Sequence, residues 1–166
     1  MPPFKAKRIT RIYTQKILAP PEVVFPLLCP VREADWLDGW DYELIYSESG
    51  YAEEGCVFKS RHAGEPETLW LITNHDKKHH QIEFARITPD LKLGKVSIHL
   101  NDNWDGTTRA GITYTFTALS DAGNAFIDSY TEGQFRESMI WWETSMNYYL
   151  KNASKLTKDI ESGAIR

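Results

Sequence analysis

Two different periods of hydrophobicity run along the chain. From Arg8 to Leu18, Ile9, Arg11, Tyr13 and Gln15 alternate imperfectly with Arg8, Ile12 and Thr14, and the β-branched and aromatic content predicts a strand. Ala19-Pro20-Pro21 stops it. Val23, Val24, Leu27 and Leu28 then follow helical spacing behind Pro21, which suits a first helical turn, so a short helix is expected, limited by Pro26. Pro30 ends that helix and can open another through Trp36 and Leu37, closed by Gly39.

From Trp40 onward the period is two. Tyr42, Leu44 and Tyr46 alternate with Asp41, Glu43 and Ile45, and Cys56, Phe58, Ser60 and His62 with Val57, Lys59 and Arg61. Turn residues at Ser47–Gly50, Gly64–Pro66, Asp76–Lys78, Thr88–Asp90 and Asp105-Gly106 separate strands at about 40–48, 55–63, 67–75, 79–88, 93–103 and 107–119. Their short connections favour antiparallel neighbours, and Asp105-Gly106 is the clearest hairpin signal.

The C-terminal segment returns to helical spacing. Thr131-Glu132-Gly133-Gln134 fits a capping box. Behind it, Phe135, Met139, Trp142, Met146, Tyr149, Ala153, Leu156 and Ile160 draw one apolar stripe that predicts a long helix ending near Gly163. The order is therefore strand, two short helices, six strands, one long helix. The expected class is α+β: a curved antiparallel sheet of about seven strands wrapped around the long C-terminal helix, as one domain over residues 1–166.

Composition sharpens this picture in one respect. Aromatic residues make up 13% of the chain, with 6 Trp, 8 Tyr and 7 Phe, so the core is either unusually bulky or surrounds something. A net charge of −4 with scattered basic residues argues against a nucleic-acid partner. No stretch reaches the ~20 apolar residues of a membrane span, and no apolar run follows Lys5, Lys7 and Arg8, so a cytoplasmic protein is expected. Cys29 and Cys56 sit among apolar neighbours and read as small buried hydrophobes.

Leu18-Ala19-Pro20-Pro21-Glu22-Val23-Val24-Phe25 before the first helix, Trp36 and Trp40 around Gly39, Gly55-Cys56-Val57-Phe58 and Thr113-Tyr114-Thr115-Phe116 carry a resemblance. With the element order, they resemble the helix-grip superfamily: START domains, Bet v 1-like proteins and the polyketide cyclase/dehydratase-like SRPBCC proteins. The resemblance spans roughly residues 8–155 and implies a hydrophobic tunnel between sheet and C-terminal helix that holds a lipid, polyketide or other apolar compound. It brings no invariant catalytic set.

Strand parity supplies the candidate lining. Val96, Ile98 and Leu100 share a face, as do Ile112, Tyr114 and Phe116; His62 joins Phe58, Arg86 joins Ile82 and Phe84, and Asn74 joins Trp70 and Ile72. The ligand-binding candidates are Phe58, His62, Trp70, Phe84, Arg86, Ile98 and Tyr114 from the sheet, with Phe135, Met139, Trp142 and Met146 from the helix. An inward Arg86 must meet a carboxylate, anchor an anionic head group, or snorkel out beside Thr88-Pro89. His62, Arg86 and Tyr114 are also the weak catalytic candidates, able to polarise a bound carbonyl compound.

His75, His79 and His80 flank one turn without a ligand set that favours a metal, and an exposed polar hairpin is expected there. No nucleophile elbow, dinucleotide fingerprint or phosphate loop occurs, so no cofactor is expected. The leading expectation is binding of a small apolar or amphipathic molecule. The alternatives are a cofactor-independent cyclase/dehydratase-like enzyme and a co-chaperone-like interaction module using an exposed patch at Trp36 and Trp40. Monomer and homodimer both remain open.

Overall fold

The computed structural model describes residues 3–62 and 64–158. Among these, seven strands form one antiparallel sheet: β1 (Arg8–Ile17), β2 (Asp41–Tyr46), β3 (Val57–Arg61), β4 (Thr68–Asp76), β5 (Gln81–Thr88), β6 (Lys92–Asp102) and β7 (Thr108–Ala118). The spatial order is β1-β7-β6-β5-β4-β3-β2, so the N-terminal strand crosses to pair with β7 and every other neighbour is sequential. α1 (Pro21–Val24) runs through a tighter turn at Phe25–Leu27 before α2 (Pro30–Trp36); α3 (Asp121–Ser129) and α4 (Glu132–Asn152) follow the sheet. No described helix is long and apolar enough to cross a membrane.

Two elements depart from the sequence reading. α3 was not expected, because Phe126 and Ile127 are its only large apolar side chains and no stripe announces it. Ser120 caps it by accepting from the Gly123 amide at 3.1 Å. It seats so closely that a Cβ on Gly123 would lie on the Leu91 carbonyl oxygen.

α4 begins as expected, with the Thr131 hydroxyl accepting from the Gln134 amide and the Gln134 side chain accepting from the Thr131 amide. It stops at Asn152, eight residues before Ile160, the last position of the stripe, because Ala153 turns left-handed at φ 54°. Leu156 continued the helical spacing only by coincidence: it is buried from a returning segment that bridges to Leu37. Ile160 and Gly163 lie outside the described residues.

α4 lies across the concave face of the sheet. Phe135, Met139, Ser145 and Met146 are buried against it, while Ile17, Ile72, Ile82, Ile98 and Ile112 fill its floor at 5% exposure or less. Gln15 is buried too and donates from Nε2 to the Met139 carbonyl at 3.0 Å, tying β1 to the helix. Cys29 and Cys56 are buried and free, as expected.

Candidate ligand-binding site

The inward positions of the sheet form rows across the strands. One row runs Phe58, Trp70, Arg86, Gly94 and Phe116 from β3 to β7. The row beyond it, towards the sheet's edge, contains Thr88, Lys92 and Ala118; on the other side lie Ile72, Phe84, Val96 and Tyr114. Between these rows, the short helices and α4 lies a cavity of about 860 Å³. That volume suits a small organic ligand. Exposed His62, Glu65, Gln134 and Glu137 are part of its lining, so it opens to solvent there.

The sheet wall is aromatic. Trp70 stacks on Phe58 with centroids 5.4 Å apart and meets Phe84 edge-on at 5.7 Å. Its indole N–H donates to the Ser60 hydroxyl at 2.8 Å, and the neighbouring Thr68 and Thr88 hydroxyls bond each other at 2.8 Å. These buried polar groups are therefore satisfied within the wall.

Arg86 is the exception. Its guanidinium lies 4.4 Å from the Trp70 ring centroid and 5.5 Å from that of Phe116, yet it makes no ion pair among the described residues, and its buried Nε has no hydrogen-bond partner there. Gly94 makes this packing possible: a Cβ there would come within 2.7 Å of Arg86 Cγ and 2.8 Å of Phe116 Cε1. Lys92 is 4% exposed, with Nζ 3.5 Å from the Phe126 centroid and 4.9 Å from that of Phe116, and it too lacks an ion pair among the described residues. Burial, helped by the nearby Arg86 charge, pushes Lys92 down to about 8. The same two causes lower His62, which stands at the mouth.

Across the cavity, α2 contributes Glu33. Burial raises its carboxyl to about 8, and the Trp142 indole pulls the other way without restoring an ordinary value. At neutral pH the group is an uncharged acid. Tyr114 interacts electrostatically with both Arg86 and Glu33 and is pushed up to about 12, chiefly by burial. The roof is Met139, Trp141 and Trp142, with Trp142 edge-on to Trp36 at 5.2 Å.

Of the expected lining, Phe58, Trp70, Phe84, Arg86, Ile98, Tyr114, Met139 and Trp142 face the cavity, and His62 stands at its rim. Phe135 and Met146 do not: both are 1% exposed core residues, and Phe135 packs against the Tyr114 ring at 5.3 Å. A register shift between Ile72 and Asn74 turns Asn74 outward beside Glu83 and places His75 opposite Ile82 instead. His75 and His80 then flank Phe25, at 5.1 and 5.5 Å, while His79 pairs with Asp76 at 2.7 Å. The described residues contain no group of three or more potential metal ligands.

The Trp36 and Trp40 surface patch is overturned. Trp36 is fully buried with its indole donating to the Leu27 carbonyl, and half-buried Trp40 donates to the Pro30 carbonyl at 2.8 Å and lines the cavity. The sequence reading missed Lys92 and Glu33, although each carried a signal. Alternation through Val96 and Ile98 extends back to Lys92, and helical spacing puts Glu33 on the face of Trp36 and Leu37.

No family model matches the sequence, and no curated protein does. Solved structures do match. Norcoclaurine synthase from Thalictrum flavum, crystallised with dopamine and hydroxybenzaldehyde, superposes with a TM-score of 0.66 at 14% identity, covering 88% of each chain. The aromatase/cyclase Zhui from Streptomyces sp. R1128 gives 0.65 at 14%, over 90% of this chain and all of the other. Ara h 8.0201 gives 0.62 at 16%, over 88% of this chain and all of the other. At these identities the likeness defines the fold: the chain has the helix-grip, Bet v 1-like fold expected from its element order.

Proposed function

We propose that the chain binds a small apolar or amphipathic molecule in the cavity between the sheet and α4. The observation that carries this reading is the cavity itself, about 860 Å³ and walled by Phe58, Trp70, Phe84, Val96, Ile98 and Met139. A chain that only needed a stable core would fill this space, since empty apolar volume costs stability. Titration with the neutral fluorophore N-phenyl-1-naphthylamine tests it. Saturable one-to-one enhancement is expected, reduced at least about tenfold by Ile98→Trp, which places a bulky ring in the floor. Non-saturable enhancement, or enhancement indifferent to Ile98→Trp in a folded variant, overturns the reading.

A second reading, catalysis on a bound carbonyl compound, has one observation in its favour. An uncharged Glu33 carboxyl, a Tyr114 hydroxyl and the Arg86 guanidinium line one cavity, a combination able to polarise a carbonyl oxygen. His62, placed at the rim, contributes least to it.

A further inference from the structure

Arg86, its Nε buried, and buried Lys92 are cations on the concave face, whereas the atoms left without a hydrogen-bond partner on Gln15 and Ser145 are uncharged. Thr68, Thr88, Ser60 and Trp70 satisfy one another, and Gln15 reaches a carbonyl. The two cations have neither a carboxylate nor, at Arg86 Nε, any hydrogen-bond partner among the described residues. They stand in adjacent inward rows on neighbouring strands, with the Phe116 ring common to both, at 5.5 Å from Arg86 Cζ and 4.9 Å from Lys92 Nζ. A structural role for either charge would supply a partner, because a buried cation without one is costly. Here the wall opposite supplies an acid, Glu33, that burial keeps uncharged at neutral pH.

We propose that the ligand is an apolar monocarboxylate whose carboxylate is held between Arg86 and Lys92 while its hydrophobic body lies against Trp70, Phe84 and Ile98. The inference rests on the ligand-binding reading above and adds the chemical class. Local charge sets the class: Arg86 and Lys92 make no ion pair among the described residues, while the other charged groups of the lining, Asp38, Glu65, Glu137 and Lys158, are half-buried or exposed and Glu65 acts on both cations only at a distance, so one carboxylate on the ligand supplies what the buried wall lacks. Geometry agrees, since a guanidinium presents paired N–H donors to a carboxylate and Lys92 adds a point charge beside it. The depressed Lys92 ammonium is what a cation awaiting its counter-ion shows, and a bound carboxylate would raise it again.

Displacement of N-phenyl-1-naphthylamine by 2-naphthoate and by methyl 2-naphthoate tests the assignment at pH 7. On the native chain the carboxylate is expected to bind at least about tenfold tighter than the ester, the scale of a charge-assisted hydrogen bond. The ratio is expected to fall towards one in Arg86→Met and, separately, in Lys92→Met. Each ratio is taken within one variant, so a general loss of affinity leaves it unmoved. Equal binding of acid and ester on the native chain, or a preference that survives both substitutions, overturns the inference while leaving the cavity reading intact. Failure of the fluorophore to bind overturns both.

Discussion

The concave face has two ends built by the same strands. At one, Ile82, Ile98 and Ile112 stand side by side on β5, β6 and β7, each 5% exposed or less. At the other, those strands present Arg86, Gly94 and Phe116 and then Thr88, Lys92 and Ala118. The alternation of the strands is unbroken between the ends, so the inward positions are a property of the fold and their occupants are not. The isoleucine end buries branched carbon against α4 and gains stability for it. The charged end gives stability up, keeping two cations without an ion pair among the described residues and a space that is not filled. Truncating a floor isoleucine should therefore cost stability, whereas neutralising a buried ionisable group of the cavity lining should add to it.

The largest effect belongs to the isoleucine end. Ile112→Ala deletes buried methyl groups from a residue that does not line the cavity and is expected to cost about 2–5 kcal/mol in urea unfolding. The carboxylate-to-ester affinity ratio of the folded fraction should stay within about twofold of the native value. A collapse of that ratio would show that the two ends are not separable.

At the cavity, Glu33→Gln should stabilise. The carboxyl is raised from 4.5 to about 8 in the folded chain, so between those values the unfolded chain ionises while the folded one holds its proton. Stability therefore falls as pH rises through that window and is level above it. An uncharged glutamine removes the slope. Near pH 7 the gain is on the order of 3 kcal/mol, from about 1.4 kcal/mol for each unit between the two values. Unfolding free energies measured at pH 4.5, 6 and 8 would check it, and parallel curves for the two proteins would show that Glu33 is not held uncharged.

How far this division could be read from the sequence depends on the element. Both periods, the capping box at Thr131 and the hairpin at Asp105-Gly106 were explicit, and they place β2 to β7 and the start of α4 within one or two residues. The isoleucine row follows from parity alone. The bulge that redirects Asn74 and His75 leaves no mark in the pattern of residue types, because both orientations there are polar. The end of α4 was hidden for the opposite reason, since Leu156 is apolar at a helical spacing but is buried by a turn that begins at Ala153. Phe135 and Met146 show a further limit: periodicity separates inward from outward but cannot separate core from cavity wall. That Arg86 and Lys92 meet aromatic rings but no carboxylate among the described residues is a three-dimensional fact about what surrounds them.

Gly94 joins the two ends, and the smallest effect is expected there. It occupies the inward position on β6 between Lys92 and Val96, where Arg86 and Phe116 close over it from the adjacent strands. A methyl group at 2.7 Å from Arg86 Cγ and 2.8 Å from Phe116 Cε1 cannot be accommodated without movement. Arginine has the more flexible side chain, so the guanidinium shifts first, out of register with Lys92 and off the Trp70 ring. Gly94→Ala is accordingly expected to cost only about 1 kcal/mol, the low end for added bulk in a packed face. Its effect on the carboxylate-to-ester ratio should nonetheless approach that of Arg86→Met, although no charge has been removed. A native ratio in a folded Gly94→Ala protein would mean that the position of Arg86 over the aromatic wall is not what selects the anion, and the glycine would then serve close packing alone.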